Sequence, residues 1–357
     1  METSSKSLNP NNSESLASQV GAPEVGPKER LKLFFKFALV AAVFFFLYRR
    51  GFITAESFRK LAASPLTWIL CTLLTVLNTI LGALRWQVLL RTQEVVLPFR
   101  EVLRLNMVGA FFNIALPGAV SGDFVKAVIV TRNFKDKRAA IFGSMIFDRI
   151  LGVSAMVFVG AFSALLSLIV PWGGSLPSIL LYSIGGVGLG AALFFVYLFL
   201  SHRKDPLLAV LRMFTRRSEK LGSLERLYQG VMGYRVHPKR ILKAIALSIA
   251  IHMFLILLSF FITEAISSDS LSVFAIAVVV PIGMLATTIP VLPAGVGTGH
   301  AAFLGLFHLV GSSQGAEVFS MIVLYQVLLG VCGGVVYLRM LAQDHRGQSV
   351  PPGQPKQ

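Results

Sequence analysis

The sequence predicts an all-α polytopic membrane protein: about six full transmembrane helices plus two broken, re-entrant helical hairpins in an inverted-topology repeat. Three observations carry this. The 357 residues are 55% hydrophobic and only 14% charged, with a mean hydropathy of +0.72, whereas a soluble domain carries about 25% charge. Several apolar runs reach the roughly 20 residues that cross about 30 Å of hydrocarbon. Two of those runs are interrupted by proline and glycine, and the interruptions fall at matching places in the two halves of the chain.

Residues 1–27 are rich in Ser, Asn, Pro and Gly and have no apolar stretch. They fit neither a signal peptide nor a core-forming segment, and a disordered cytoplasmic tail is expected. The end of the chain, 343–357, reads the same way. Between the tails, 28–342 is expected to form one transmembrane domain. Its first half, 31–170, holds the runs Leu31–Tyr48, Pro65–Leu84, Val102–Val130 (broken) and Ala139–Val170. Its second half, 176–341, holds Leu176–Leu200, Ile241–Ile262, Leu271–Val310 (broken) and Val318–Leu341, with a loop at 202–240. Cys71 and Cys332 both lie inside apolar runs. They read as core residues, not as a disulfide framework or a metal site.

The net charge of +16 would suggest nucleic acid in a soluble protein. Here the Lys and Arg residues gather between apolar runs, the pattern of positive-inside loops. The 202–240 loop is dense in them, and "RNFKDKR" at 132–138 carries four, while 171–175 and 263–270 carry none. The first two segments are therefore expected to face the cytoplasm and the last two to face out, with both termini inside. The first loop, with Arg49, Arg50, Arg59 and Lys60, falls outside and breaks the rule. Parts of 202–240 ("LLAVLRMF", "LERLYQGVM") are amphipathic and read as lying along the anionic inner leaflet.

With this orientation each broken run starts and ends on one side of the membrane, the first inside and the second outside. The turns are "LPGAVSGD" and "IPVLPAGVGTGH". Leu116-Pro117 recurs as Leu292-Pro293 and Met145-Ile146 as Met321-Ile322, each 176 residues later. Inverted repeats with paired broken helices are a transporter signature, with the substrate near the midplane. Non-helical backbone at that depth is tolerated only where protein buries it or water lines it. Proline removes a helix hydrogen bond and glycine lets the chain turn, leaving a donor-rich helix end suited to an anionic headgroup. The plain alternative is a pair of kinked spans that bind nothing.

Charges inside the runs add candidates. Asp123 and Lys126, three apart, share a helix face and can pair. They are expected to close the cytoplasmic mouth, with Lys126 taking a phosphate. Asp148 and Arg149 point about 100° apart and need different partners. Each charge costs about 2.5–3.5 kcal/mol at mid-membrane unless paired or hydrated. Such charges read either as a polar cavity for a headgroup or coupling ion, or as a structural network. Arg85 and Trp86 close the second run and read as structural or interfacial anchors. His252 reads as a helix-packing hydrogen bonder. His300 either titrates near neutral pH or caps its turn. "GVGTGH" follows no strand and is not a dinucleotide site, and no P-loop sequence is present. No cofactor and no metal are expected.

The motifs "RW..LL" (Arg85, Trp86, Leu89, Leu90), "G.FFN..LPG...GD..K" (Gly109 to Lys126), "DR..G" (Asp148, Arg149, Gly152) and "P..PAGVG" (Pro290 to Gly297) resemble the lysylphosphatidylglycerol synthase transmembrane-region family, also described as the flippase-like domain. The resemblance spans roughly 30–342. It implies a membrane domain that moves, or helps move, a lipid or lipid-linked group between leaflets. In the bifunctional aminoacyl-lipid synthases a soluble transferase domain follows; no such stretch follows in this sequence, so synthase activity is not implied. Three positions depart from the family pattern. Ser121 stands where the family usually has Gly, Lys126 where it has Arg, and His300 where it commonly has Glu.

The expected function is lipid or lipid-linked translocation in a bacterial inner membrane, with Asn113, Pro117, Gly118, Gly122, Asp123, Lys126, Asp148, Arg149, Pro293, Gly295, Gly297 and His300 as binding or coupling residues. The alternatives are a membrane-embedded lipid-modifying enzyme, with Asp123 or Asp148 as general base, or a scaffold for one. Expected partners are a membrane phospholipid or lipid-linked substrate, anionic lipids at the basic loop, and a lipid-modifying enzyme or a second copy of the chain. Nucleic acid is not expected.

Overall fold

The computed structural model describes residues 45, 49, 55–115, 121–170, 177–200, 205–215, 219–267, 271–288 and 295–348. Residues 1–27 and 349–357, most of the run Leu31–Tyr48, and Pro117, Gly118 and Pro293 lie outside the described residues, whereas 343–348, expected to belong to a tail, continue the last helix. Those described are helical, joined by turns and short 3-10 segments. In chain order the helices are α1 (Ala55–Ala62), α2 (Pro65–Thr92), α3 (Phe99–Ala115), α4 (Ser121–Asn133), α5 (Arg138–Leu166), α6 (Ser178–Leu200), α7 (Pro206–Thr215), α8 (Glu219–Met232), α9 (Pro238–Ile266), α10 (Val273–Ala286), α11 (Thr298–His308) and α12 (Gly315–Gln348).

Five helical stretches, comprising α2, α5 with its preceding turn, α6, α9 and α12, are long and apolar enough to cross a membrane. They match five of the six expected spans. Their starts follow local chemistry. Pro65 and Pro238 sit in the first turns of α2 and α9, where a missing N–H costs no helix bond. Ser272 caps α10 by accepting from the Ala275 N–H at 3.1 Å. α6 exposes Ile179, Leu189, Leu193 and Leu200, an outward apolar surface suited to lipid and not to water.

The two broken runs are helix pairs. α3 and α4, of 17 and 13 residues, reach about 25 and 20 Å at 1.5 Å per residue. α10 and α11, of 14 and 11 residues, reach about 21 and 16 Å. All four fall short of the roughly 30 Å of hydrocarbon. α3 packs on α4, and α10 on α11. At the α3–α4 crossing a Cβ on Gly122 would overlap the carbonyl oxygen of Gly109, so only glycine lets these backbones meet.

The remaining packing is ordered. α2 lies against α9; α3 packs on α12 and α10 on α5; α4 packs on α5 and α11 on α12; α2 packs on α3 and α9 on α10. The largest apolar cluster gathers α9, α10, α11 and α12 with parts of α2, including Ile276, Phe303, Phe319 and Ile322.

The two ends of the bundle differ. At one, Lys137 pairs with Glu94 at 3.2 Å, Gln93 donates to the Gly230 carbonyl at 2.8 Å, and Arg240 to the Arg91 carbonyl at 3.1 Å. Phe99 and Phe134, at the two feet of the α3–α4 pair, share one cluster there. At the other end Lys60 and Gln314 both reach the Ile266 carbonyl at 3.5 Å, beside the feet of the α10–α11 pair. The 132–138 and 205–240 segments thus share one end of the protein.

Two expectations need correction. Cys71 is buried, but Cys332 is exposed; it points out of the bundle from α12 instead of into a core. The "LERLYQGVM" stretch is helical as α8, but it packs on α5. Val231, Met232 and Tyr234 are buried there, and Tyr234 stacks on Phe147 with centroids 4.2 Å apart. The apolar face that suggested a leaflet contact is taken by protein. α7 is different. Its Leu207, Val210 and Met213 recur every three residues and are each at least half exposed. Asp205 caps α7, accepting from the Leu208 N–H at 2.9 Å and from the hydroxyls of Tyr197 and Tyr228 at 2.7 and 2.8 Å. Burial opposes its ionisation, but these bonds and nearby Arg235 hold its carboxyl below the usual range.

Candidate functional site

A cavity of about 440 Å³ lies beside the inner ends of α3 and α10, one helix from each short pair. α3 contributes Asn113 and Ile114, α5 Arg149, α10 and its end Thr287 and Thr288, and α12 Gln326, with Gly295 at the start of the second turn. Each polar group has a local reason to be there. Thr287 and Thr288 follow the last residue of α10. Their hydroxyls donate back to the Met284 and Leu285 carbonyls, both at 2.6 Å. The hydrogens are thereby used and oxygen lone pairs remain. Asn113 Oδ1 accepts from the Gly122 N–H at 2.8 Å, which ties α3 to the start of α4 and leaves the amide Nδ2 as its donor. Gly295 adopts φ +70°, a left-handed conformation that disfavours side chains, and a Cβ there would meet Thr287 Cβ at 2.6 Å.

Behind Arg149 lies a buried charge network. Asp123, 5% exposed, pairs with Lys126 at 2.8 Å and also with the Arg149 guanidinium. Lys126, 3% exposed, also reaches Asn106 Oδ1 at 3.5 Å and stands 4.5 Å above the Trp86 ring, a cation–π contact in a desolvated place. Asp148 accepts two bonds from Arg85, at 2.8 and 3.0 Å, the fork geometry of a strong pair. Arg85 also donates to Ser248 at 2.9 Å. Asp148 and Arg149 therefore do have different partners, as their angular separation requires. Among the described residues the network holds two carboxylates (Asp123, Asp148) and three cations (Arg85, Lys126, Arg149), a surplus of one positive charge. Arg149, with 44% of its side chain exposed, is the cation that reaches the cavity.

The structure thus redistributes the sequence candidates. Asn113, Arg149 and Gly295 line the cavity. Gly122 and Asp123 stand behind its wall, and Asp148 is engaged by Arg85. Lys126 was expected at a mouth, holding a phosphate. It is instead sealed among Asp123, Asn106 and Trp86, because burial leaves it no route to a ligand except through Asp123. Arg85 and Trp86 face the inside of the bundle and not its outer surface. The Arg85 side chain is 12% exposed and Trp86 fully buried, donating its indole N–H to Ser144 at 3.3 Å. Both bridge α2 to α5.

Gly297 and His300 begin α11, one turn beyond Gly295. Gly297 has φ +89°, and its N–H donates to His300 Nδ1 at 3.2 Å. With Nδ1 accepting, Nε2 carries the proton and donates to Ser320 at 3.0 Å. Ser320 in turn donates to the Ala316 carbonyl at 2.9 Å. His300 thus caps its turn as a neutral imidazole and ties α11 to α12. His252 bonds the Gly152 carbonyl at 3.0 Å, a helix-packing role as expected. Thr287, Thr288 and Gln326 were not singled out from the sequence. Gln326 could have been, as an amide inside an apolar run. The threonines carry no signal until the end of α10 is located.

The model of one protein family, described as the lysylphosphatidylglycerol synthase TM region, matches residues 33–332. That interval is 300 of the 357 residues and contains every residue of the cavity and of the charge network. No curated protein and no solved structure matches the chain.

Proposed function

The chain belongs to the lysylphosphatidylglycerol synthase transmembrane-region family, and from that premise we propose that it translocates a lipid or lipid-linked group between the leaflets of a bacterial inner membrane. One observation carries the reading. The cavity forms beside the inner ends of α3 and α10, one helix from each interrupted pair, and among the described residues the one charge on its wall is Arg149. A phosphate-bearing headgroup would neutralise the surplus charge of the network. Hydrocarbon offers no such compensation, so an unfilled positive site at depth is costly.

The packing supports an inverted repeat. Exchanging α2 with α9, α3 with α10, α4 with α11 and α5 with α12 turns each of the main contacts among these helices into another: α3 on α12 becomes α10 on α5, and α4 on α5 becomes α11 on α12. The feet of α3–α4 lie at the basic end of the bundle and those of α10–α11 at the other, as two re-entrant hairpins from opposite leaflets require. The basic end is assigned to the cytoplasm by its Lys and Arg residues. There the exposed apolar stripe of α7 would rest in the leaflet.

The test is reconstitution in liposomes with fluorescent lipids, with and without a proton gradient. Leaflet exchange faster than in protein-free vesicles is expected for at least one lipid, and Arg149→Gln should remove most of it. No exchange of any lipid would overturn the reading.

A further inference from the structure

The walls of the cavity are chemically unequal, and the inequality selects a ligand. On the α3 and α5 side stand donors: the guanidinium of Arg149 and Asn113 Nδ2, whose partner atom Oδ1 is already used by Gly122. On the α10 side stand Thr287 and Thr288, whose hydroxyl hydrogens are already given to backbone carbonyls. Their remaining capacity is to accept. The adjacent C-terminal end of α10 carries the negative end of the helix dipole, which keeps an anion on the opposite wall and favours hydrogen-bond donors beside the threonines. Gln326, on α12, can do either.

Charge decides the rest. The network carries one surplus positive charge, and among the described residues no carboxylate lines the cavity. The undescribed stretches 116–120 and 289–294 contain no acidic residue in their sequence. A cationic headgroup would therefore meet Arg149 with no counter-charge. A zwitterionic one would bring its own ammonium and leave the surplus uncompensated. At about 30 Å³ per water-sized group, 440 Å³ has room for a phosphate and a short polyol.

Resting on the translocation reading above, we infer that the cavity takes a monoanionic phosphodiester headgroup bearing free hydroxyls, with the phosphate on Arg149 and Asn113 and the hydroxyls donating to Thr287 and Thr288. The selected class is an acidic phospholipid with a neutral polyol head, in preference to zwitterionic or aminoacylated lipids.

The experiment compares four fluorescent lipids in the same proteoliposomes: phosphatidylglycerol, phosphatidic acid, phosphatidylethanolamine and lysyl-phosphatidylglycerol. Phosphatidylglycerol is expected to exchange about tenfold or more faster than the zwitterionic and cationic lipids, since an unpaired buried charge is strongly disfavoured. Arg149→Gln should erase that preference, and Arg149→Lys should keep part of it. Thr287→Val should slow phosphatidylglycerol about three- to tenfold while leaving phosphatidic acid, which lacks the glycerol hydroxyls, nearly unchanged. Equal or faster exchange of the zwitterionic or cationic lipid would overturn the inference and leave translocation standing. If no lipid exchanges, the translocation reading fails. Retention of the same lipids by the detergent-solubilised protein in native mass spectrometry then decides the inference alone. Preferential phosphatidylglycerol retention, lost in Arg149→Gln, sustains it, and indifferent retention overturns it.

Discussion

At Asp123 one carboxylate serves two cations of unlike exposure, and the difference sets what each substitution does. Lys126 is sealed, whereas Arg149 has nearly half its side chain open. Asp123→Asn should cost about 3–5 kcal/mol, because it strands a buried ammonium. Arg149→Gln should cost far less, since Lys126 still neutralises Asp123. In the double variant Asp123→Asn with Lys126→Gln, more than half of the lost stability should return, as neutral groups often replace a buried pair at little cost. The remaining deficit belongs to Arg149, which the double variant leaves without its carboxylate. Thermal unfolding in detergent, arranged as a double-mutant cycle, measures the coupling; strictly additive losses would mean that Asp123 and Lys126 do not pair.

Element geometry rests on two glycines with different jobs. Gly122 lets α4 touch α3 backbone to backbone, and what a Cβ would strike is the Gly109 carbonyl, which cannot swing aside. Gly122→Ala should therefore cost about 1–3 kcal/mol, as overpacking does. Gly190→Ala, on α6 with open space around it, should be neutral or stabilising by up to about 1 kcal/mol through helix propensity. Gly295 supplies a positive φ beside Thr287, so Gly295→Leu should lower both thermal stability and lipid exchange. Unfolding midpoints of the three variants in one detergent test this ranking; a Gly122→Ala protein as stable as the parent would mean the α3–α4 contact is looser than described. Both positions lie in sequence motifs, but Gly122 stands out there only as half of "GD". Its need for glycine comes from Gly109, thirteen residues away across the crossing.

The described residues form a strongly basic end and a less basic one, and the sidedness is open to a direct check. In a background lacking Cys71 and Cys332, Gly173→Cys and Ser267→Cys should react with an impermeant thiol reagent added to intact cells. Thr215→Cys, on α7 at the basic end, should react only after permeabilisation. Labelling of position 215 from outside would reverse the orientation. It would also assign α7 to the outer leaflet.

The sequence by itself determined the membrane class, five of the spans, the two interruptions and the rule that Asp148 and Arg149 cannot share a partner. Those follow from apolar run length, proline and glycine chemistry and helical angle, all local properties. It left open which cation meets which carboxylate. Arg85 and Asp148 are 63 residues apart, and Asp123 and Arg149 are 26 apart. Only the packing of α2, α4 and α5 brings them within reach. The same packing buries Lys126 and exposes Arg149, so it, and not the motif, selects the residue that faces the cavity. The threonines at the end of α10 gain a role because α10 ends beside α3. That placement depends on contacts between the two halves of the chain, which no stretch of either half specifies alone.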